Sequence, residues 1–213
     1  MSNDVILYGA GGHATSVVDA LLAGGHKPAF IVDDDPGKKG QRILQTTVRG
    51  PMQELSPDDL SRYAVLIAIA INDLRKRIAL DLNRRGAKPC GVRHPSAIIS
   101  PHARVHPTAQ ILAGVIVNAG AVVQSHAVLN TGCIIEHDCI VGEFCHIGPG
   151  AVLAGAVVTG EGVFVATGAK VCPFVRLGGW STVGAGAVVL HNLAPHCLAV
   201  GVPARSLRKE SRS

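Results

Sequence analysis

Ile135-Glu136-His137-Asp138-Cys139-Ile140 is one period of a six-residue pattern that runs from Ile99 to Val189. Every sixth residue along that stretch is aliphatic: Ile99, Val105, Ile111, Val117, Val123, Leu129, Ile135, Val141, Ile147, Leu153, then Val165, Val171, Leu177, Val183 and Val189. The single exception, Thr159, is β-branched. Four places after each aliphatic residue the chain is small or β-branched, as at Ala121, Ala127, Cys133, Cys139, Cys145 and Ala151. A helix repeats about every 3.6 residues and a lone strand about every two, so neither accounts for this spacing. Hexapeptide repetition is a mark of the parallel β-helix, in which short strands alternate with tight turns and stacked coils share one core. The aliphatic residue is expected inside and the small one near a corner. Glycines directly after the aliphatic position (Gly142, Gly148, Gly160, Gly178, Gly184) are expected to serve turns at positive φ. Three hexads per coil make a triangular prism of about five coils, roughly 25 Å tall at ~4.8 Å per strand layer.

Composition agrees with a narrow aliphatic prism. Apolar residues make up 47% of the 213 residues but aromatics only 3%. No run of about eighteen apolar residues occurs, so no membrane span is expected. The chain enters Val5-Ile6-Leu7-Tyr8 without a basic region or cleavage site, so no signal peptide is expected either. Cys133, Cys139 and Cys145 fall in the small slot of successive hexads and hence on three different sides. Buried, unpaired thiols in a cytoplasmic protein are therefore expected rather than disulfides. The formal charge is +5 and the isoelectric point about 9.0; Arg205, Arg208, Lys209 and Arg212 contribute near the end of the chain. No helix-turn-helix, zinc-finger or RNA-binding signature accompanies that charge, so no nucleic-acid partner is expected. Polyanionic small molecules such as coenzyme A or a nucleotide sugar explain it at least as well, and a solvated tail without a role is the bland alternative.

Ahead of the repeat, Val5 to Tyr8 reads as a buried strand, Gly9-Ala10-Gly11-Gly12-His13-Ala14 as a turn, and Val17, Val18, Leu21 and Leu22 recur at helical spacing. Strand, glycine turn and helix form the context in which backbone N–H groups meet a phosphate. A second strand, Ala29 to Val32, ends in Asp33-Asp34-Asp35, where an acidic residue commonly holds a ribose hydroxyl. The alternative is a βαβ unit whose glycines only permit tight packing. Residues 55 to 63 read as a short helix behind Ser56-Pro57, and Val65 to Ile71 as a third strand. Asn72-Asp73 is expected to cap a helix carrying Leu74, Ile78 and Leu82, and Pro89 to Val92 reads as a fourth strand. The expected division is residues 1–94, 95–192, and a C-terminal extension and tail over 193–213. A first domain of this size is about half a two-lobed dinucleotide-binding domain, which argues against a nicotinamide-dependent dehydrogenase.

Because the prism interior is aliphatic, chemistry belongs on its outside. His137 and Asp138 lie between the inward Ile135 and Cys139 and are expected to point out from a wall. The carboxylates flanking His137 raise its basicity and fix its tautomer. His146 is expected as a second outward histidine, half a coil away and out of reach within one chain. Side-by-side packing of identical prisms, as in a trimer, would bring such positions together. His126, His191 and His196 are further candidates. His137, His146 and His126 have no recognisable metal-ligand spacing, so no metal site is expected.

The loop Gly9-Ala10-Gly11-Gly12-His13, the pair Asp33-Asp34, the segment Ile67 to Arg75 and His94-Pro95-Ser96-Ala97 together resemble one bacterial family. So do Asn130-Thr131, Ile135-Glu136-His137-Asp138-Cys139 and Gly201-Val202-Pro203-Ala204. It is the group of hexapeptide-repeat acyltransferases that contains nucleotide-linked 4-amino-sugar N-acetyltransferases and the related sialic acid O-acetyltransferases. The resemblance implies an α/β plus β fold, with a small Rossmann-like N-terminal βαβ domain followed by a left-handed parallel β-helix. It also implies a homotrimer with acetyl-CoA in the groove between prisms and the nucleotide sugar in the N-terminal domain. By the same resemblance His137 is the general base and Asp138 the acid that raises its basicity. His146 lies near the thioester, and Gly155, Thr167 and Ala185 line the coenzyme groove. Gly11, Gly12, His13, Asp33 and Asp34 contact the nucleotide sugar, and Asn130 reaches the sugar. One departure is Ala70-Ile71-Asn72-Asp73, where relatives often have a glycine before Asn or Asp.

The expected activity is acetyl transfer from acetyl-CoA to the 4-amino group of a nucleotide-linked amino-dideoxy sugar, in the cytoplasm. O-acetylation of a sialic acid is the alternative. A zinc hydro-lyase and a non-catalytic nucleotide-sensing or assembly solenoid are the remaining rivals.

Overall fold

The computed structural model describes residues 5–207, and the chain divides into two compact units, Met1–Pro95 and Ser96–Ser213. Arg208, Lys209 and Arg212 of the basic tail lie outside the described residues. Among the described residues no helix is long and apolar enough to cross a membrane.

The first unit runs β1 (Val5–Tyr8), α1 (Gly12–Ala23), β2 (Ile31–Val32), β3 (Arg42–Ile43), β4 (Thr46–Gly50), α2 (Pro57–Arg62), β5 (Ala64–Ile67), α3 (Asn72–Arg84) and β6 (Lys88–Cys90). Its sheet has the order β3-β4-β2-β1-β5-β6, parallel except for β3, which is antiparallel to β4. Strand β1 is central because its apolar run is buried on both faces, as parallel strands require. Helix α1 buries Ala14, Val17, Val18, Ala20 and Leu21. Helix α2 starts where Ser56 and Asp59 cap each other's backbone in a reciprocal box, with Pro57 in the first turn.

The β3–β4 hairpin carries a weak sequence signal, because β4 alternates buried Thr46, Val48 and Gly50 with exposed Thr47 and Arg49 and so shows its period of two on few aliphatic residues. Two expectations for this unit are corrected. Strand β5 ends at Ile67, not Ile71, since Ala68 to Ile71 bends toward Gly9. Gly9 has φ +112, and a Cβ there would lie 2.9 Å from the Ala68 carbonyl. Asn72-Asp73 does not cap α3: Ile71 is the capping residue and makes no side-chain cap. Asn72 instead accepts from Arg75 Nη2 at 2.9 Å. Arg75, fully buried, also donates from Nη1 to the Ile69 and Ala70 carbonyls at 2.9 and 3.0 Å. The guanidinium thus claims the Asn72 oxygen that a cap would have used.

In the second unit two-residue strands stack in register with residues eighteen apart, as Val117 pairs with Ile99 below and Ile135 above. The first wall carries Gln110–Ile111, Val128–Leu129, His146–Ile147, Phe164–Val165 and Thr182–Val183. The second carries Ile98–Ile99 through Ile134–Ile135 to Val188–Val189. The third carries Arg104–Val105 through Ile140–Val141 to Arg176–Leu177. The second residue of most of these strands, with Ala121, Ala127, Cys133, Cys139, Cys145 and Ala151, forms one buried cluster. Each fully buried Val, Leu or Ile stabilises the stack by about 1.5–3 kcal/mol. Thr159 fits among them because its hydroxyl is used: it accepts from Gly142 N at 2.9 Å and meets Cys145 Sγ at 3.1 Å.

The expected role of the wall-end glycines is also corrected. Gly142, Gly148, Gly160, Gly178 and Gly184 do not have positive φ. They are glycines because the next coil is too close: a Cβ on Gly142 would sit 2.5 Å from the Gly160 carbonyl oxygen, and one on Gly148 2.8 Å from that of Val165. Positive φ belongs to the second residue of each corner. From Gly114 to Gly186 every sixth residue has φ between 54° and 75°, including the non-glycines His126, Asp138, Phe144, Ala156, Phe174 and Trp180. The ladder also runs past the expected boundary at 192. Leu198–Val200 joins the first wall beside Thr182–Val183, and Arg205–Leu207 then pairs with it in the opposite direction.

Candidate active site

His137 and Asp138 form the corner between the second and third walls, not a wall position, because the chain turns between Ile135 and Ile140. Asp138 holds the corner's left-handed place, φ 60°, a conformation that Asp tolerates better than most residues. Its main chain is tied down by a bond from Asp138 N to the Ala119 carbonyl at 3.1 Å. The backbone so placed brings the carboxylate back to the preceding residue. Asp138 Oδ2 lies 2.9 Å from His137 Nδ1, with both side chains more than 60% exposed. A carboxylate at Nδ1 keeps the proton on that nitrogen and leaves Nε2 as the basic atom.

The coils above and below make room for this pair. A Cβ on Gly155, eighteen residues after His137, would lie 2.6 Å from His137 Nε2. One on Gly120, eighteen residues before Asp138, would lie 2.3 Å from Asp138 Oδ1. Gly120 was not legible as a site residue along the chain; only the eighteen-residue coil brings it under Asp138. Among the described residues the Gly155 N–H has no hydrogen-bond partner. Cys139, next in the chain, points inward; burial pushes its thiol up to about 11, which makes it a poor nucleophile.

His146 faces away from the prism core, since its strand neighbour Ile147 faces into it, but it is covered rather than exposed: it is 7% exposed, beside Phe164 with ring centroids 5.3 Å apart. Asn130 Oδ1 accepts from Thr131 N at 2.8 Å, which turns the amide nitrogen toward the ring. His146 Nε2 therefore accepts from Asn130 Nδ2, at 3.1 Å. Thr167 and Ala185 lie one coil apart on another edge, between the first and second walls, where Gly186 N bonds to the Thr167 carbonyl at 2.9 Å. Within one chain the candidates thus form three groups: His137, Asp138 and Gly155 on one edge, His146 with Asn130 on a wall, and Thr167 with Ala185 on a second edge. Among the described residues no three His, Cys, Asp or Glu side chains are placed to hold a metal ion.

In the first unit Gly11 is the N-terminal capping residue of α1, which has neither a side-chain cap nor an acidic first turn. Its end therefore offers N–H groups to an anion. A Cβ on Gly11 or Gly12 would meet nothing within 4 Å, so space lies open over the loop, and half-buried His13 follows in the first turn. The acids beyond β2 are occupied rather than free. Asp33 accepts from Ala10 N at 2.6 Å, Asp35 N at 2.9 Å and Lys38 Nζ at 2.9 Å. Burial opposes its charge, but these donors outweigh burial and hold the carboxyl below its ordinary range. Asp34 accepts from Met52 N at 3.1 Å and from the Tyr8 hydroxyl. Burial first, and then the Asp34 contact, pushes that hydroxyl well above the usual tyrosine value. The two acids are first of all the frame of the loop.

Comparison with known proteins decides the family. Residues 4–82 match the PglD N-terminal domain. Over 96% of its length the chain superposes on PerB from Caulobacter crescentus in complex with CoA and GDP-perosamine. The identity is 37% and the TM-score 0.90, and 97% of that chain is covered. The chain belongs to the hexapeptide-repeat nucleotide-sugar N-acetyltransferases. A second member, the acetyltransferase domain of PglB from Neisseria gonorrhoeae in complex with acetyl coenzyme A, matches at 30% identity. Its TM-score is 0.88, with 97% of this chain and all of that one covered. The solenoid is accordingly the left-handed β-helix of this family and the first unit its Rossmann-like domain. Serine acetyltransferase of Escherichia coli strain K12 is 45% identical over 49 residues, 23% of this chain. That match spans only 18% of the enzyme's length.

Proposed function

We propose that this protein moves an acetyl group from acetyl-CoA to the 4-amino group of a nucleotide-linked amino-dideoxy sugar, with His137 as general base. The observation that carries the mechanism is the corner itself: Asp138 engages Nδ1 of His137, and Nε2 lies over the bare Cα of Gly155. The neutral amine attacks the thioester carbonyl, and Nε2 takes the ammonium proton as the C–N bond forms. The Gly155 N–H, which has no partner among the described residues, meets the developing oxyanion. Collapse breaks the C–S bond, and His137 returns the proton to the departing CoA sulfur.

The coenzyme groove is read as lying between copies in a homotrimer. The split of Gly155 from Thr167 and Ala185 onto different edges supports this, since one groove can use both only if a second copy supplies one of them. In the first unit the open glycines at the N-terminus of α1 are read as the diphosphate site. Asp33 and Asp34 hold that loop, and His146 keeps Asn130 turned for the sugar. The nucleotide-sugar reading is supported by the Caulobacter protein, which binds CoA and GDP-perosamine. That protein was also crystallised with the same two ligands in two histidine-substituted forms.

The test is CoA release from acetyl-CoA for wild type and His137→Ala. The acceptors are GDP-, UDP- and dTDP-linked 4-amino-4,6-dideoxy sugars, together with free and CMP-linked sialic acid. Turnover with one nucleotide-linked amine, reduced about 10²–10⁴-fold in the variant, is expected for a lost general base. A folded His137→Ala protein with full turnover overturns the base assignment. Turnover with sialic acid alone overturns N-acetylation in favour of O-acetylation.

A further inference from the structure

We propose that Gly120 is a positioning residue for the His137–Asp138 pair, acting through Asp138; this rests on the reading of His137 as the base. The Asp138 carboxylate occupies the volume that a Gly120 side chain would fill, with Oδ1 2.3 Å from the missing Cβ. Its other oxygen is thereby aimed at His137 Nδ1, 2.9 Å away.

The backbone alone does not demand glycine at this place. Gly120 has φ +75, but Ala156, Phe174 and Trp180 hold the equivalent corner place at 58–63° with side chains attached. Nor does packing of the coil demand it. The two other close approaches to a Gly120 Cβ are the Asp138 Cγ at 3.3 Å and the Asp138 N at 3.4 Å, so the one severe overlap is with the free end of a short side chain. An alanine would therefore swing the carboxylate aside and leave the coil standing, because the Asp138 main chain is anchored to Ala119. Ala119 and Gly120 from the coil below, and Gly155 and Ala156 from the coil above, stack against this corner. Asp138 is thus the titratable group that faces the imidazole across these turns, with Glu136 preceding it on the same coil.

With its carboxylate displaced, His137 loses the acceptor that keeps the proton on Nδ1. A neutral imidazole in water favours the proton on Nε2, the nitrogen that must act as base. The loss falls on catalysis, not on binding.

The test uses ¹⁵N-histidine-labelled protein, in which the imidazole nitrogen shifts report the tautomer of His137, assigned by the signal missing from His137→Ala. Four forms are compared with wild type: Gly120→Ala, Asp138→Ala, the double variant, and Gly114→Ala. The last is a matched control: Gly114 has φ +68, and its nearest neighbour to an added Cβ is at 3.8 Å, an ordinary contact. Wild type and Gly114→Ala are expected to carry the proton on Nδ1, and Gly120→Ala and Asp138→Ala to move it to Nε2. In turnover with acetyl-CoA and the accepted nucleotide-linked amine, Gly120→Ala is expected to lose about tenfold in kcat with both KM values unchanged. The double variant is expected to be no slower than Asp138→Ala, since Gly120 has no other route to the histidine. An unchanged tautomer in Gly120→Ala, kcat equal to that of Gly114→Ala, or additive losses in the double variant would each overturn the proposal. Full turnover of His137→Ala with a shifted tautomer in Gly120→Ala would instead overturn the base assignment while supporting the positioning.

Discussion

At the edge that carries His137, a Cβ added to Gly120 or Gly155 would land 2.3 or 2.6 Å from the His137–Asp138 pair. Along the edge that carries Thr167 and Ala185, Gly132, Gly150, Gly168 and Gly186 have nothing within 4 Å. Both edges are cut from the same repeated turn and have the same left-handed corner residue. What differs is what the neighbouring coil puts above and below. On the first edge the absence of side chains makes a seat for His137 and Asp138; on the second it leaves open space. The wall-end glycines Gly142, Gly148, Gly160 and Gly178 are a third case, in which the nearest neighbour is main chain. A glycine in a solenoid is therefore understood from the residue eighteen places away as much as from its own φ.

Three substitutions sharpen that comparison. Gly142→Ala drives a methyl group against the Gly160 carbonyl and is expected to cost about 3 kcal/mol, the upper range for overpacking. Thermal unfolding should then fall by roughly 6–12 °C. In the first unit Asp33→Asn removes charge-assisted bonds that frame the glycine loop, for an expected loss of about 2 kcal/mol near neutral pH. Because the folded pKa of Asp33 is depressed, its contribution is fully present above about pH 4 and is lost as pH falls below that. Denaturant melts of wild type and variant should therefore converge in acid. Gly150→Ala, at φ +62 with open space around it, is expected to cost only about 1 kcal/mol, the penalty of a left-handed backbone. If Gly150→Ala unfolds as early as Gly142→Ala, the distinction between corner and wall-end glycines fails.

The smallest effect concerns the thiols, where burial pushes Cys133 up to about 12 and Cys139 up to about 11. At pH 8 a disulfide reagent should titrate the half-exposed Cys172 and Cys197 and reach the solenoid interior only after denaturant is added. Rapid labelling of Cys139 in the folded protein would contradict the inward packing of its hexad.

The prism was legible because each period repeats the same instruction, and even Thr159 could be admitted as β-branched. The pairing of His137 with Asp138 was legible because the two residues are adjacent in the chain. Gly120 was not, since its relation to Asp138 exists only across a coil. The outward direction of His146 is legible from alternation along its strand, but its burial is not, because alternation sees neither Phe164 in the coil above nor Asn130 in the coil below. In the first unit the same limit applies: Asn72 read as a helix cap until Arg75, one turn on, was seen to claim it. The acids after β2 read as ligand contacts along the chain, where the bonds that Ala10 and Lys38 give Asp33 are not visible.

The last described strand runs against the rest of its column. A column of parallel strands is open-ended by construction: its last rung presents the same evenly spaced hydrogen-bonding row as every rung before it, and another column could continue it. Arg205–Leu207 covers the Leu198–Val200 rung in the antiparallel sense, whose alternating close and wide bonds do not match a parallel continuation. On that face the column therefore ends in a strand that does not match a parallel continuation, and the same short segment that ends the ladder also guards its edge.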